Sequence, residues 1–143
     1  MLSLLSLNML SYTSLDMSFT TSMEVKMSKG SLMESGYYAR IIEDLRETAL
    51  TAAEVATITG VKERQVQHWA AGTHRPAGTK RDRLLELAYI IDRLRDVYRP
   101  EGIDIWIHGR NRDLGGYRPI DLLERGEFAT VLNAVERLET GAM

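Results

Sequence analysis

The chain has 143 residues, of which 44% are hydrophobic and 27% charged, and its formal net charge at pH 7 is −2. Such a length supports one compact domain or two very small ones, and the composition is that of an ordinary globular protein. Cysteine is absent and histidine occurs three times, which excludes disulfides and thiolate sites and predicts neither a metal nor another cofactor. No run of about 18 uncharged apolar residues exists, so we expect a cytoplasmic protein without a membrane partner.

Residues 1–33 differ from the rest of the chain, because they are rich in Ser, Leu, Met and Thr and show no regular hydrophobic period. A signal peptide would carry Lys or Arg near its start, but the first basic residue is Lys26. We therefore interpret 1–33 as a flexible N-terminal extension. Four methionines suggest that the natural start lies further along: Met17, Met23, Met27 and Met33.

From residue 34 onward, apolar residues recur at the spacing of amphipathic helices, which predicts an all-α fold. One stripe covers about 34–45. A longer stripe covers about 79–98, where Thr79 is the expected cap, and Pro100 should end it.

The carboxy-terminal third is less regular. Ile103, Ile105 and Ile107 alternate with other residues as they would in a strand, but the segment is short and its neighbours are helical. We therefore favour a short helix there. Pro119 suits the first position of another short helix, where its missing amide hydrogen would lack a partner anyway. A last apolar stripe runs over 128–138.

Two short helices with a glycine between them are predicted near the middle of the chain. Thr51 and Glu54 have the spacing of a capping box, in which each side chain satisfies a free amide at the start of a helix. The first helix should therefore run from about 52 to 58. Gly60 permits the left-handed backbone that ends a helix, and the second helix should follow over about 62–71.

The spacing of small and apolar residues in this pair is that of a helix–turn–helix. Ala56, Gly60 and Val66 supply the small residue, the turn glycine and the inward-facing apolar residue that two steeply crossing helices need. Further core contacts are expected from Val55, Val61 and Trp69. The pattern resembles the DNA-binding helix–turn–helix of phage-repressor-type proteins, whose second helix enters the major groove.

The outer face of the second helix carries side chains suited to base edges. With about 100° per residue, Val66, Trp69 and Ala70 point inward, which leaves Arg64 and His68 outward with a glutamine on either side. Arg can pair bidentately with guanine, and Gln can do so with adenine. Residues 60–83 hold six basic and two acidic residues, a net charge of +4, so the rest of the chain sums to −6.

The predicted DNA-binding residues are Lys62, Arg64, Gln65, Gln67, His68, Arg75, Lys80, Arg81 and Arg83. The alternative is a plain helical hairpin with a solvated polar face.

A glycine-rich loop over about 111–118 leads into the helix expected at Pro119. Such a loop can bind an anion through backbone amides. It lacks the glycine patterns of phosphate-binding loops, however, and no clear strand precedes it. On residue chemistry alone, the alternative is a structural turn with Leu114, Ile120 and Leu122 in a core.

The combination of these features resembles the Xre/MbcA/ParS type of antitoxin, over about Ser35 to Met143. Three pieces give the resemblance: the helix–turn–helix, the long helix RLLELAYIIDRLRDVY, and the spacing W-x-x-x-x-N-x-x-L-x-G-x-x-P-x-D-L-L from Trp106 to Leu123. The resemblance implies an all-α antitoxin of a type II toxin–antitoxin pair. Its domains would be a helix–turn–helix over 34–78 and a helical toxin-binding domain over 79–143.

The resemblance also implies the partners. The usual toxin has a RES domain and destroys NAD, the antitoxin covers its active-site mouth, and the oligomeric complex represses its own operon by binding operator DNA. The family's carboxy-terminal end often reaches the toxin's pocket, and here Gly141 would end the last helix before a short tail. The toxin-binding residues implied in this way are Trp106, Asn111, Leu114, Gly116, Arg118, Pro119, Thr140, Gly141, Ala142 and Met143.

Two features depart from the family pattern: the N-terminal extension, which such antitoxins need not have, and the cap of the second predicted helix. Lys62 occupies the expected cap of the second helix, where Ser or Thr would serve better. A stand-alone transcription regulator without a toxin partner is the alternative function. An enzyme is disfavoured, because the sequence has no histidine–carboxylate spacing typical of metal or nucleophile sites.

Overall fold

A computed structural model describes residues 33–141, and every regular element in that range is a helix, which confirms the all-α prediction. The chain divides into two units at Gly36, and the fold below is that of the second unit, from Tyr37 onward. Apart from Met33, which already belongs to a helix, the predicted flexible extension lies outside the described residues. The helices are α1 (33–48), α2 (Ala52–Thr59), α3 (Glu63–Ala71), α4 (Gly78–Leu94), α5 (Pro100–His108), a 3-10 turn (Arg112–Leu114), α6 (Pro119–Glu124) and α7 (Phe128–Thr140).

The helix boundaries predicted at Thr51, Gly60 and Pro119 are confirmed. The Thr51 hydroxyl accepts a hydrogen bond from the Glu54 amide at 3.1 Å, and the Glu54 carboxylate accepts one from the Thr51 amide at 2.9 Å. Gly60 ends α2 with a φ of +83°. Pro119 occupies the first turn of α6. Local sequence therefore fixes where these helices begin and end.

The short helix over the alternating isoleucines is also confirmed. Ile103 and Ile107 lie one helical turn apart and are fully buried, whereas Ile105 between them is 73% exposed. Residues at i and i+4 share a face of a helix, and i+2 does not. The alternation that resembles a strand is thus produced by one turn of α5.

Both predicted ends of the long helix are wrong. Helix α4 begins at Gly78 after an Ala77 cap, so Thr79 lies inside the helix and does not cap it. It ends at Leu94, because the amides of Asp96 and Val97 bond to carbonyls three residues back, those of Arg93 at 3.1 Å and Leu94 at 3.0 Å, so the i+4 ladder of the α-helix gives way to turns. Pro100 lies beyond the end of α4 and is the first residue of α5.

One hydrophobic core extends through α1 to α7. Helix α4 packs against both α2 and α7, while α6 contacts α2, α5 and α7. Trp69 of α3, Leu87 of α4 and Val131 of α7 are all almost completely buried in this core. The predicted boundary between residues 78 and 79 falls in the first turn of α4, and apolar packing crosses it.

Candidate functional site

Helix α3 presents its polar residues outward. Its buried side chains, Val66 and Trp69, are 0% and 1% exposed, which anchors one face of the helix in the core. Arg64 and Gln67 are exposed, while Gln65 is half-buried. The helical wheel drawn from sequence therefore agrees with the burial pattern for Val66, Trp69, Arg64 and Gln67, whereas His68, which the wheel placed outward, is half-buried.

Most of the predicted cations lie at the exposed ends of α3 and α4. Lys62 adopts the extended backbone of a helix cap with an exposed side chain, and within the described residues that side chain makes no capping hydrogen bond. Arg75 is exposed in the α3–α4 loop. Lys80 and Arg81 are exposed in the first turn of α4, and Arg81 approaches Asp82 at 3.5 Å. Cations at a helix start oppose the helix dipole, which an anionic ligand would relieve.

His68 differs from the other predicted DNA-binding residues, because neighbours at the end of α3 engage its ring. The imidazole rings of His68 and His74 lie 4.6 Å apart, centroid to centroid. The Thr73 hydroxyl oxygen lies 3.5 Å from Nδ1 of His68 and 3.2 Å from Nδ1 of His74. The His68 ring is thus part of a local cluster at the carboxy-terminal end of the helix.

Arg83 is the one predicted DNA-binding cation that the structure turns inward. Its side chain is half-buried, and Nη1 donates to the carbonyl oxygen of Ile58 in α2 at 3.3 Å. The structure therefore separates Arg83 from the exposed cations.

Asn111 organises the glycine-rich loop. Its side-chain oxygen accepts from the Asp113 amide at 2.9 Å, its amide donates to the Tyr117 carbonyl at 3.0 Å, and its carbonyl accepts from the Gly116 amide at 2.8 Å. Leu114 is 6% exposed beneath the loop. Asn111, Leu114 and Gly116, all predicted to bind toxin, therefore hold the loop's shape.

At the start of α6, Arg118 and Asp121 form a two-pronged ion pair. Nε and Nη2 of Arg118 donate to the two carboxylate oxygens at 2.9 and 2.7 Å, and these bonds lower the pKa of Asp121 below its usual value. Pro119 is buried, whereas the Arg118 side chain is exposed. Trp106 is half-buried and packs against the core. Arg118 on the loop is thus exposed, whereas Trp106 on α5 is only partly accessible.

A salt bridge connects the end of α7 to α4. Arg93 of α4 donates through Nε to the Glu139 carboxylate at 2.8 Å and through Nη1 to the Tyr89 hydroxyl at 2.6 Å. Beyond this pair, Thr140 is exposed, and Gly141 ends the helix with a φ of +72°. Ala142 and Met143 lie outside the described residues.

An apolar groove of about 340 Å³ lies between α4 and α7. Its walls include Leu85 and Tyr89 of α4 and Phe128 and Leu132 of α7, and Tyr89 is 48% exposed.

Further exposed apolar residues were missed in the sequence. Ile105 projects from α5, and Tyr117 is exposed in the loop with the Arg125 guanidinium 4.7 Å above its ring. A helical wheel drawn over α5 would have found Ile105. Tyr117 carries no local signal, because its exposure depends on how the loop is folded.

An ion pair connects His108 of α5 to α2. Its Nε2 lies 2.8 Å from the Glu54 carboxylate of α2, and its Nδ1 lies 3.0 Å from both the carbonyl and a carboxylate oxygen of Asp104. Partial burial disfavours the charged imidazole, but the hydrogen bonds to Glu54 and to the Asp104 carbonyl outweigh that effect. The pKa of His108 is therefore raised above its usual value of 6.5.

Replacing His108 by Gln is expected to lower stability in acid more than in base, by on the order of 1 kcal/mol. A raised pKa in the folded state gives stability that is fully present below the unfolded pKa and is lost as pH rises through the folded pKa. Urea unfolding of both proteins at about pH 6 and about pH 9 measures the difference. His74→Gln, at an exposed imidazole, is the control. An equal loss at both pH values would contradict the ion pair.

Two classes of feature are absent from the part of the chain that the structure describes. It contains no group of three or more His, Asp or Glu side chains arranged to hold a metal ion. None of the helices at 33–141 is long and apolar enough to cross a membrane.

Curated relatives share most of the chain's length. No family model matches the sequence. A protein of Mycobacterium tuberculosis described as "Probable mycobacterial cidal antitoxin Rv3188" is 35% identical over 104 residues, 73% of this chain and 89% of the relative. The "Mycobacterial cidal antitoxin MbcA" of Mycobacterium bovis is 33% identical over 97 residues, 68% of this chain and 86% of the relative.

A solved structure shares the fold. One chain of the crystal structure of the M. tuberculosis MbcT–MbcA toxin–antitoxin complex matches with a TM-score of 0.64 and 32% identity, over 73% of this chain and 96% of that one. Fold and sequence together define the class, which is the antitoxins of toxin–antitoxin pairs. Within that class, the chain belongs to the MbcA family of mycobacterial cidal antitoxins.

Proposed function

We propose that this protein binds and neutralises a toxin encoded beside it, and that it acts by binding and not by catalysis. The observation that carries the proposal is the match to a chain of a toxin–antitoxin complex, at 32% identity over 96% of that chain. The proposed toxin has a RES domain and degrades NAD, and the antitoxin covers the mouth of its active site. This proposal places the protein in the cytoplasm, where NAD and operator DNA are both available.

The proposed toxin-facing surface is the carboxy-terminal half. Support comes from three features of this half: the exposed Thr140 and Gly141 at the end of α7, the exposed Arg118 side chain on the loop, and the half-buried Trp106 on α5. The internally bonded residues of the loop, among them Asn111 and Leu114, would act by holding this surface in shape.

Co-expression tests the toxin proposal. The neighbouring gene expressed alone should arrest growth and deplete cellular NAD, and co-expression with this chain should restore both. The two proteins should also co-purify as a stable complex. A neighbouring product that is harmless alone, or that never co-purifies with this chain, would contradict the proposal.

We also propose that the helix–turn–helix binds operator DNA and represses the operon. The support is the outward-facing polar side of α3, together with exposed cations before it and in the first turn of α4. An inverted-repeat operator requires two such helices, so the DNA-bound form would contain two copies of this chain, paired directly or through the toxin.

Arg64→Ala is expected to relax base discrimination by about 1–3 kcal/mol on the operator, because an exposed guanidinium in the groove pairs with specific bases. Lys80→Ala should weaken binding to operator and random DNA alike, since a phosphate contact carries no sequence information. Fluorescence anisotropy on both duplexes at several salt concentrations measures these effects. Equal losses from both changes on both duplexes would contradict the assigned roles.

A further inference from the structure

Arg83 closes the carboxy-terminal end of α2. Its Nη1 donates to the carbonyl oxygen of Ile58 at 3.3 Å, and Ile58 itself is fully buried. The last four carbonyls of a helix have no partner within the helix, and the helix dipole favours a cation there. This contact joins residues 25 positions apart and links α4 to the helix that precedes the turn at Gly60.

The same guanidinium lies against the turn between α6 and α7. A methyl group at Gly126 would come within 2.9 Å of Nη2 of Arg83, a separation that real side chains do not show. A methyl group at Gly60 would lie 3.9 Å from Nη1. The Arg83 guanidinium therefore bonds to the end of α2 and lies beside the α6–α7 turn, with the turn at Gly60 nearby.

We propose that Arg83 is a positioning residue, which fixes the α2–α3 pair against the carboxy-terminal helices and so sets the orientation of α3. The proposal rests on the proposed DNA binding for its functional meaning. A planar guanidinium can meet two backbone segments at once, whereas the compact ammonium of lysine acts as a single point charge. A lysine at position 83 would therefore keep the positive charge without the planar group that can meet two segments.

Arg83→Lys separates positioning from phosphate contact, because it keeps the charge and loses the planar fork. We expect the full-length variant to bind a duplex from upstream of its own gene at least about tenfold more weakly. Binding to a random duplex and the slope of affinity against salt should match wild type. A phosphate contact predicts a different result: Arg83→Lys would keep its operator affinity, and Arg83→Gln would reduce the salt slope by about one. That result would overturn the proposal.

A matched pair of glycine substitutions tests the second contact. Gly126 and Gly115 both have left-handed backbones, with φ values of +84° and +70°, so alanine is strained at both positions. A methyl group at Gly126 would displace the Arg83 guanidinium, whereas one at Gly115 would make only an ordinary contact with the Tyr117 ring at 3.8 Å. Gly126→Ala should therefore reproduce the operator defect of Arg83→Lys, and Gly115→Ala should bind the operator as wild type does. The double variant Arg83→Lys/Gly126→Ala should be no worse than either single change. Equal behaviour of both alanine variants would overturn the contact's role.

Amide hydrogen exchange gives a readout that needs no DNA. In Arg83→Lys, exchange in α2 and α3 should rise about tenfold relative to α5, whereas circular dichroism should show the same helix content. Unchanged exchange in α2 and α3 would overturn the proposal whatever the DNA result. The two proposals can fail separately. If the wild-type chain shows no preference for its operator, the DNA proposal is contradicted. If Arg83→Lys still shows the exchange effect in that case, the positioning role remains supported.

Discussion

Deleting residues 140–143 is expected to abolish protection against the co-encoded toxin while leaving the fold intact. Thr140 is exposed and Gly141 is the exposed cap of α7, so their removal takes no buried side chain from the core. If the tail occupies the toxin's active-site mouth, its loss should restore growth arrest on co-expression. The measurement is colony survival together with cellular NAD, which should fall to the levels seen with toxin alone.

A length-matched control distinguishes the identity of the tail from its presence. Replacing 140–143 by Ser-Gly-Ser-Gly keeps the reach of the tail and removes its side chains. Failure of this variant would show that the side chains are required, and full protection would show that chain length is sufficient. Full protection by the deletion itself would exclude the tail as the neutralising element. Loss of protection through Trp106→Ala or Arg118→Ala would then place the neutralising element on α5 or on the loop.

Trp69→Ala is expected to cost about 3–5 kcal/mol of unfolding free energy, the largest stability effect of any single change discussed. Trp69 is 1% exposed in α3 and packs in the core that joins α2 and α3 to the rest of the fold. A domain of this size has a total stability of about 5–15 kcal/mol, so this one change should move the unfolding midpoint in urea far toward zero.

Two tryptophan variants serve as controls. Trp69→Phe should cost much less than Trp69→Ala, because phenylalanine fills much of the same volume and removes the indole Nε1, which has no acceptor among the described residues. Trp106→Ala, at a half-buried position, should also cost less than Trp69→Ala. A larger loss at residue 106 than at 69 would contradict the burial order.

Local signals were sufficient for much of the fold. The Thr51–Glu54 capping box and Pro119 were readable because each acts within four residues of the helix start that it marks. The early end of α4 was not readable, since the apolar stripe continues to Tyr98 while the backbone turns after Leu94. A periodic pattern shows which residues face the core, and it does not show where the hydrogen-bond ladder stops.

Contacts that form only in the folded chain limited what the sequence could say about the sites. Arg83 was grouped with the exposed cations by its charge, and only its bond to Ile58 shows that it points inward. Asn111 was grouped with toxin-binding residues, although its bonds to the Asp113 and Tyr117 backbone hold the loop together. The exposed outer face of α3 was predictable, because burial on one side of a helix fixes the other side.

The apolar packing shared across α4 has a consequence for turnover of the protein. Because α4 contacts both α2 and α7, neither half has a self-contained interior, and we expect the chain to melt in one cooperative transition. A protease that captures the unfolded chain would then destroy both proposed surfaces, the one for DNA and the one for toxin, in the same event. If both proposals hold, release of the toxin and relief of repression would follow together from a single cleavage.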